Sequence, residues 1–155
     1  MPVQLSDKKL ELIEELGMHF EKTGTMPAAS RIFALLIIAD QNELTFEEIY
    51  ETLNMSKSAA SNGINLLIST GRVEYITRPG ERKRYFRCKA KSLKEGVQRS
   101  LDNIVVFNSL LKQVMVQRAQ ETNELNKGLE EVVGYLDFMI IELPGLFEKW
   151  ESLKK

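Results

Sequence analysis

A chain of 155 residues and 17.7 kDa fits one domain of usual size, or one domain with an appended helical part, and is long enough to need no disulfide or metal staple. Its 21 Lys and Arg against 22 Asp and Glu give a charge of -1 and a pI near 6.0, a balance that taken whole argues against a nucleic-acid binder. The single cysteine (Cys88) and single histidine (His19) exclude an internal disulfide, a thiolate cluster and a His-based metal or catalytic apparatus, while nine glycines and four prolines favour long helices over a many-stranded sandwich.

The first seven residues carry neither a basic n-region nor an apolar h-region, and the longest apolar run, Ile32 to Ala39, falls far short of the ~20 residues of a membrane span. A cytoplasmic protein that engages no membrane is therefore expected. Leu10, Ile13, Leu16 and Phe20 recur at steps of three and four, which predicts an amphipathic helix from about Ser6 to Lys22, capped by Ser6 and ended at Gly24. Pro27 suits the first turn of a second helix, and Ala28 to Ala39 is apolar almost all round, with Arg31 its one charge, as expected of a helix at the centre of its domain.

Thr45 with Glu48 makes a capping box, flanked by Leu44 and Ile49 as a hydrophobic staple. That helix ends by Leu53 or Asn54, because Ser56 is already the next N-cap; the following helix runs from Lys57 to about Thr70, with Gly71 as its stop. Two short helices so joined predict a helix-turn-helix. After Gly71 the period changes. Arg72 to Thr77 and Lys83 to Cys88 fit short strands about Pro79-Gly80, predicting a two-stranded hairpin with a basic tip. Beyond Lys91 the helical period returns, with one apolar stripe through Leu101, Ile104, Val105, Leu111, Val114 and Met115 and another from Leu125 to Leu143; Pro144-Gly145 is expected to break or kink the last helix.

The near-zero charge is an average over unlike parts. From Ser56 to Lys91 nine Lys and Arg stand against Glu74 and Glu81, a local +7 that leaves -8 for the remainder. On the second helix of the pair, Ala60, Ile64, Leu67 and Ile68 face the core, and the opposite face presents Lys57, Ser58, Ser61, Asn62 and Asn65, with Ala59 and Gly63 between them read as small residues that let the helix approach a groove floor. Ser hydroxyls address several bases or phosphates, and Asn suits bidentate pairing with adenine. Arg78, Arg82, Lys83 and Arg84 surround the turn, where a protruding basic loop can enter a narrow minor groove, and Glu81 is expected to buttress one of these arginines. Double-stranded DNA is the partner these features point to, with a protein-binding module on the same scaffold as the alternative. Met18, Met26, Met55, Met115, Met139 and Phe147 read as gap-fillers rather than a ligand pocket. Cys88, beside Arg87 and Lys89, reads as a structural thiol ahead of an oxidant sensor of lowered pKa. No catalytic residue, metal site or cofactor is expected: Ser and Cys lack a His partner, and neither Gly63 nor Gly80 belongs to a phosphate loop.

The order helix, helix, helix-turn-helix, basic hairpin, long helices resembles the MarR type of winged helix-turn-helix transcriptional regulator. Gly24-Thr-Met-Pro27 followed by Ser30-Arg-Ile-Phe-Ala-Leu-Leu36 is similar to the family's buried second helix, and Leu44-Thr-Phe-Glu-Glu-Ile49 with Leu53-Asn-Met-Ser-Lys-Ser58 to its helix-turn-helix. Pro79-Gly-Glu-Arg-Lys83 with Tyr85-Phe86 resembles the wing of the GbsR branch, from which Ser30 (usually Gly) and Arg84 (commonly acidic) depart. The resemblance implies a mainly α fold with a small β-hairpin wing, divided into an N-terminal dimerisation helix over 1–24, a winged helix-turn-helix domain over 25–91 and a C-terminal helical dimerisation region over 92–155. It also implies a homodimer with two recognition helices in successive major grooves and, in many members, a small-molecule effector. The apolar surplus beyond Leu101, more than one antiparallel helix pair can bury, argues in the same direction for a second copy of the chain.

Overall fold

The computed structural model describes residues 1–119 and 124–154. In chain order the elements are α1 (Asp7–Lys22), α2 (Pro27–Ile38), β1 (Leu44–Thr45), α3 (Phe46–Thr52), α4 (Lys57–Ser69), β2 (Val73–Thr77), β3 (Arg84–Cys88), α5 (Ala90–Gln117) and α6 (Glu124–Ser152). They form two compact units, Met1–Lys94 and Glu95–Lys155, with α5 beginning in the first and continuing in the second.

Local chemistry sets the helix ends of the first unit. Ser6 Oγ accepts from the Lys9 amide, Thr45 and Glu48 form the reciprocal capping box, and Ser56 Oγ accepts from the Ala59 amide at 3.1 Å. The C-termini of α1, α3 and α4 share one solution. At Gly24 (φ +92°), Asn54 (φ +48°) and Gly71 (φ +71°) the chain turns left-handed. In each case that residue's amide and the next one return to carbonyls of the last turn: Gly24 to Glu21 and Thr25 to Phe20, Asn54 to Glu51 and Met55 to Tyr50, Gly71 to Ile68 and Arg72 to Leu67. These are Schellman closures, which satisfy carbonyls a helix end would otherwise leave open.

α2 is the axis of this unit, with Ala29, Ile32, Phe33, Ala34, Leu35 and Leu36 buried. Around it the core gathers Ile13 from α1, Leu44 from β1, Ile49 from α3, Ile64 and Leu67 from α4, Val73 from β2 and Phe86 from β3. Each large side chain removed from water here stabilises the fold by about 1.5–3 kcal/mol. Ser30, fully buried within α2, donates its hydroxyl to the Thr25 carbonyl at 3.3 Å, so the one polar side chain in the helix's buried set is not left unpaired. Arg31 lies over Gly17 of α1 and pairs with Glu14 and Glu21 there, clamping α1 to α2.

Two elements differ from the sequence expectation. The sheet has three strands in the order β1-β3-β2, not two: Leu44 pairs with Phe86 and Thr45 with Tyr85. The residues before the α3 cap are already extended, which leaves their backbone free to add to the edge of β3. And α6 is continuous from Glu124 to Ser152 with Pro144 inside it, so of the expected break or kink the break does not occur. Proline withholds one amide from the ladder, and in a helix of 29 residues the remaining bonds carry the chain past it. Within the second unit Val133 and Leu136 are buried, and Asp137 Oδ1 on α6 accepts from Asn108 Nδ2 at 2.7 Å and Lys112 Nζ at 2.6 Å on α5.

Candidate nucleic-acid interface

α4 presents two unlike faces. Lys57, Ser58, Ser61, Asn62 and Asn65 are all exposed, whereas Ala60, Gly63, Ile64 and Leu67 are buried against the core. Lys57, at the helix N-terminus, holds its ammonium 5.4 Å from the Tyr50 ring centre. Gly63 is therefore not on the groove-facing side, where sequence reading placed it. A Cβ there would lie 2.8 Å from Ile32 Cδ1 and 3.1 Å from the Ala29 amide nitrogen, so this glycine lets α4 close on α2. Its position three residues after Ala60 and four before Leu67 carries that information in the sequence.

The wing turn is Arg78-Pro79-Gly80-Glu81. Proline at the second position, φ +82° at Gly80 and a Glu81 amide donating to the Arg78 carbonyl at 3.1 Å make it a type II turn. The four cations around it divide. Arg78 pairs with Glu43, a residue ahead of β1, and lays its guanidinium 4.1 Å from the Tyr85 ring centre; the Glu43 hydrogen bond raises its pKa above the ordinary arginine value. Arg84 lies 5.0 Å from the Tyr75 ring centre. Arg82 and Lys83 are exposed and make no ion pair among the described residues.

Glu81 does not buttress an arginine through an ion pair, as expected from sequence. Its carboxylate accepts from the Tyr85 hydroxyl, a bond that raises the phenol's pKa. The acid that holds Arg78 is instead Glu43, 35 residues away along the chain. Not all of the local +7 is free charge. Glu74 takes Arg87 at 2.7 Å and Lys89 at 4.0 Å, and Arg72 is half-buried, donating to Thr25 Oγ1 at 2.7 Å beside Phe33.

Cys88 is half-buried, and burial pushes its thiol above the ordinary value, with a Ser92 hydrogen bond pulling weakly the other way. A lowered pKa, the requirement for a thiolate sensor, is the opposite of this shift. Of the methionines expected to fill gaps in the core, Met18 and Met26 are exposed and fill none. Met115 lines an open cleft of about 360 Å³ in the second unit with Lys112, Val116, Asn126, Glu130 and Val133. Among the described residues no group of three or more His, Cys, Asp or Glu could hold a metal ion, and no helix is long and apolar enough to cross a membrane.

A helix-turn-helix of α3 and α4 followed by a small antiparallel sheet whose β2–β3 turn protrudes defines a winged helix-turn-helix fold, mainly α with a three-stranded wing. No protein-family model matches the chain. It is similar to the HTH-type transcriptional regulator MmpR5 of Mycobacterium tuberculosis (strain ATCC 25618 / H37Rv), with 21% identity over 147 residues that cover 90% of this chain and 87% of that protein. Among solved structures, the crystal structure of a transcriptional regulator shares its fold at a TM-score of 0.62 and 20% identity, over 94% of this chain and 99% of that one.

Proposed function

We propose that the chain is a MarR-type regulator of transcription that binds double-stranded DNA as a homodimer, laying α4 in the major groove and the wing along the backbone and minor groove. The observation that carries this reading is the division of α4. Five exposed hydrogen-bonding side chains, Lys57, Ser58, Ser61, Asn62 and Asn65, stand opposite a fully packed face, and the exposed wing cations Arg82 and Lys83 follow in the same unit. Neutral Ser and Asn give base contacts, with Asn matched to adenine, while Arg82, Lys83 and Arg84 of the wing supply the positive potential that phosphates require, with Arg78 at the root of the turn held by Glu43. Similarity to MmpR5, an HTH-type transcriptional regulator, supports the same class. The division of labour follows the family pattern: a dimerising helix over 1–24, a DNA-binding domain over 25–91 and dimerising helices over 92–155. Assignment to the GbsR branch rests on the wing string Pro79 to Lys83 with Tyr85 and Phe86. A small-molecule effector belongs to this reading, its identity set by neither the sequence nor the open cleft beside Met115.

Selection from a random duplex pool tests the proposal. It should recover a pseudo-palindrome whose half-sites lie one helical turn apart, about 34–36 Å, with affinity falling steeply as salt rises. Absence of duplex binding even at low salt would overturn it and leave the protein-binding module standing.

A further inference from the structure

We propose that Glu43, an acidic residue, is a positioning residue for DNA binding: with Arg78, Tyr85 and Glu81 it braces the wing tip in its docking conformation, and Arg78 serves that brace rather than a phosphate. The proposal rests on the DNA-binding reading above.

The β2–β3 ladder ends at the pair Thr77 and Arg84, so residues 78–83, with Arg82 and Lys83 among them, overhang the sheet. Such an overhang is ordinarily loose, and its backbone has one hydrogen bond of its own, from Glu81 to Arg78. Tyr85 ties it down. This residue sits on the central strand, paired with Thr45 on one side and Ile76 on the other. Its ring underlies the Arg78 guanidinium and its hydroxyl donates to Glu81, so one side chain holds both ends of the turn. Glu43 anchors the assembly from outside the wing. Its side chain is 17% exposed, which makes a cation partner a requirement, and Arg78 fills it. The Arg78 side chain is still half-exposed, but its charge is paired with the Glu43 carboxylate and one face lies on the Tyr85 ring, so it adds little net positive charge for a phosphate.

Electrostatics and preorganisation predict opposite signs for loss of Glu43. Removing a negative charge near DNA should tighten binding by simple Coulomb attraction. Releasing the brace should weaken it, because the long side chains of the tip must then be ordered on docking, at a cost of roughly two- to tenfold in affinity. The experiment is fluorescence anisotropy with a labelled mixed-sequence duplex of about 30 base pairs, long enough for two half-sites, at several salt concentrations. Glu43→Gln should bind roughly two- to tenfold more weakly than the native chain. Arg82→Gln, carried by both protomers of the dimer, should flatten the slope of log K against log salt by about 1.8, while Arg78→Gln weakens binding with the slope nearly unchanged. Tighter or equal binding by Glu43→Gln, or a slope flattened by Arg78→Gln as much as by Arg82→Gln, overturns the brace. Backbone order parameters of residues 80–83 supply a readout without DNA. They should fall in Glu43→Gln, and unchanged values overturn the brace even if duplex binds. If the native chain binds no duplex, the DNA-binding reading fails while the order parameters still decide whether the brace exists.

Discussion

Gly63 shows how one residue can answer to two opposed effects. In a helix interior, alanine is favoured over glycine by about 1 kcal/mol. Here the added methyl would meet Ile32 Cδ1 at 2.8 Å and backbone atoms of Ala29 and Ala28 at 3.1 and 3.3 Å. Ile32 is itself wholly buried, so it has no solvent side toward which to swing, and the backbone of α2 cannot yield without moving the core. Overpacking of this kind costs about 1–3 kcal/mol and exceeds the propensity gain. Gly63→Ala is expected to destabilise the first unit by up to about 2 kcal/mol, read as a lower melting temperature by circular dichroism. A variant as stable as the native chain would show that α2 and α4 can separate without penalty.

Between elements, the polar contact of α5 with α6 makes a testable pH signature. The Lys112 ammonium, and after it the Asn108 amide, hold the Asp137 carboxyl below the usual carboxylate range. A carboxyl depressed on folding contributes stability that is complete above its unfolded value near 3.9 and is lost as pH falls through the folded value. Asp137→Asn should therefore lower the melting temperature at pH 7, with the difference from the native chain shrinking as pH drops below about 4. A difference that stays constant from pH 7 to pH 3 would remove the ion pair from the stability of this helix pair. The elements themselves were mostly legible in the sequence because their ends are local: Ser6, Thr45 with Glu48, Ser56, Gly24 and Gly71 each act within four residues. Features decided across long sequence separations were not legible. Leu44–Thr45 becomes a strand only because Tyr85 and Phe86 arrive beside it, and Glu43 meets Arg78 only once that sheet has formed. Gly63 is legible too, because its helical period with Ala60 and Leu67 puts it on the packed side of α4 and not on the groove-facing one.

At the scale of the whole molecule, the second unit leaves a run of large apolar side chains in water. Phe107 and Leu110 on α5 are each 53% exposed, and Tyr135, Phe138 and Ile141 on α6 are 62%, 64% and 72% exposed. Single exposed apolar side chains are ordinary, but runs of them on both members of a helix pair mark an interface. The burial that α5 and α6 achieve between them, with Val133 and Leu136 as the buried apolar pair, does not consume these residues. A second copy offers a matched surface by symmetry, since an isologous contact sets the same patch against itself. That assembly also fits the function proposed, because two reading heads need a fixed separation to meet successive turns of a duplex. Light scattering should give a species of twice the 17.7 kDa chain mass at micromolar concentration. Phe138→Glu sets a charge in the middle of that face and should shift the mass to 17.7 kDa with helical content retained, and should weaken duplex binding along with it. A native chain that scatters as 17.7 kDa would place these aromatic side chains in water and overturn the dimer.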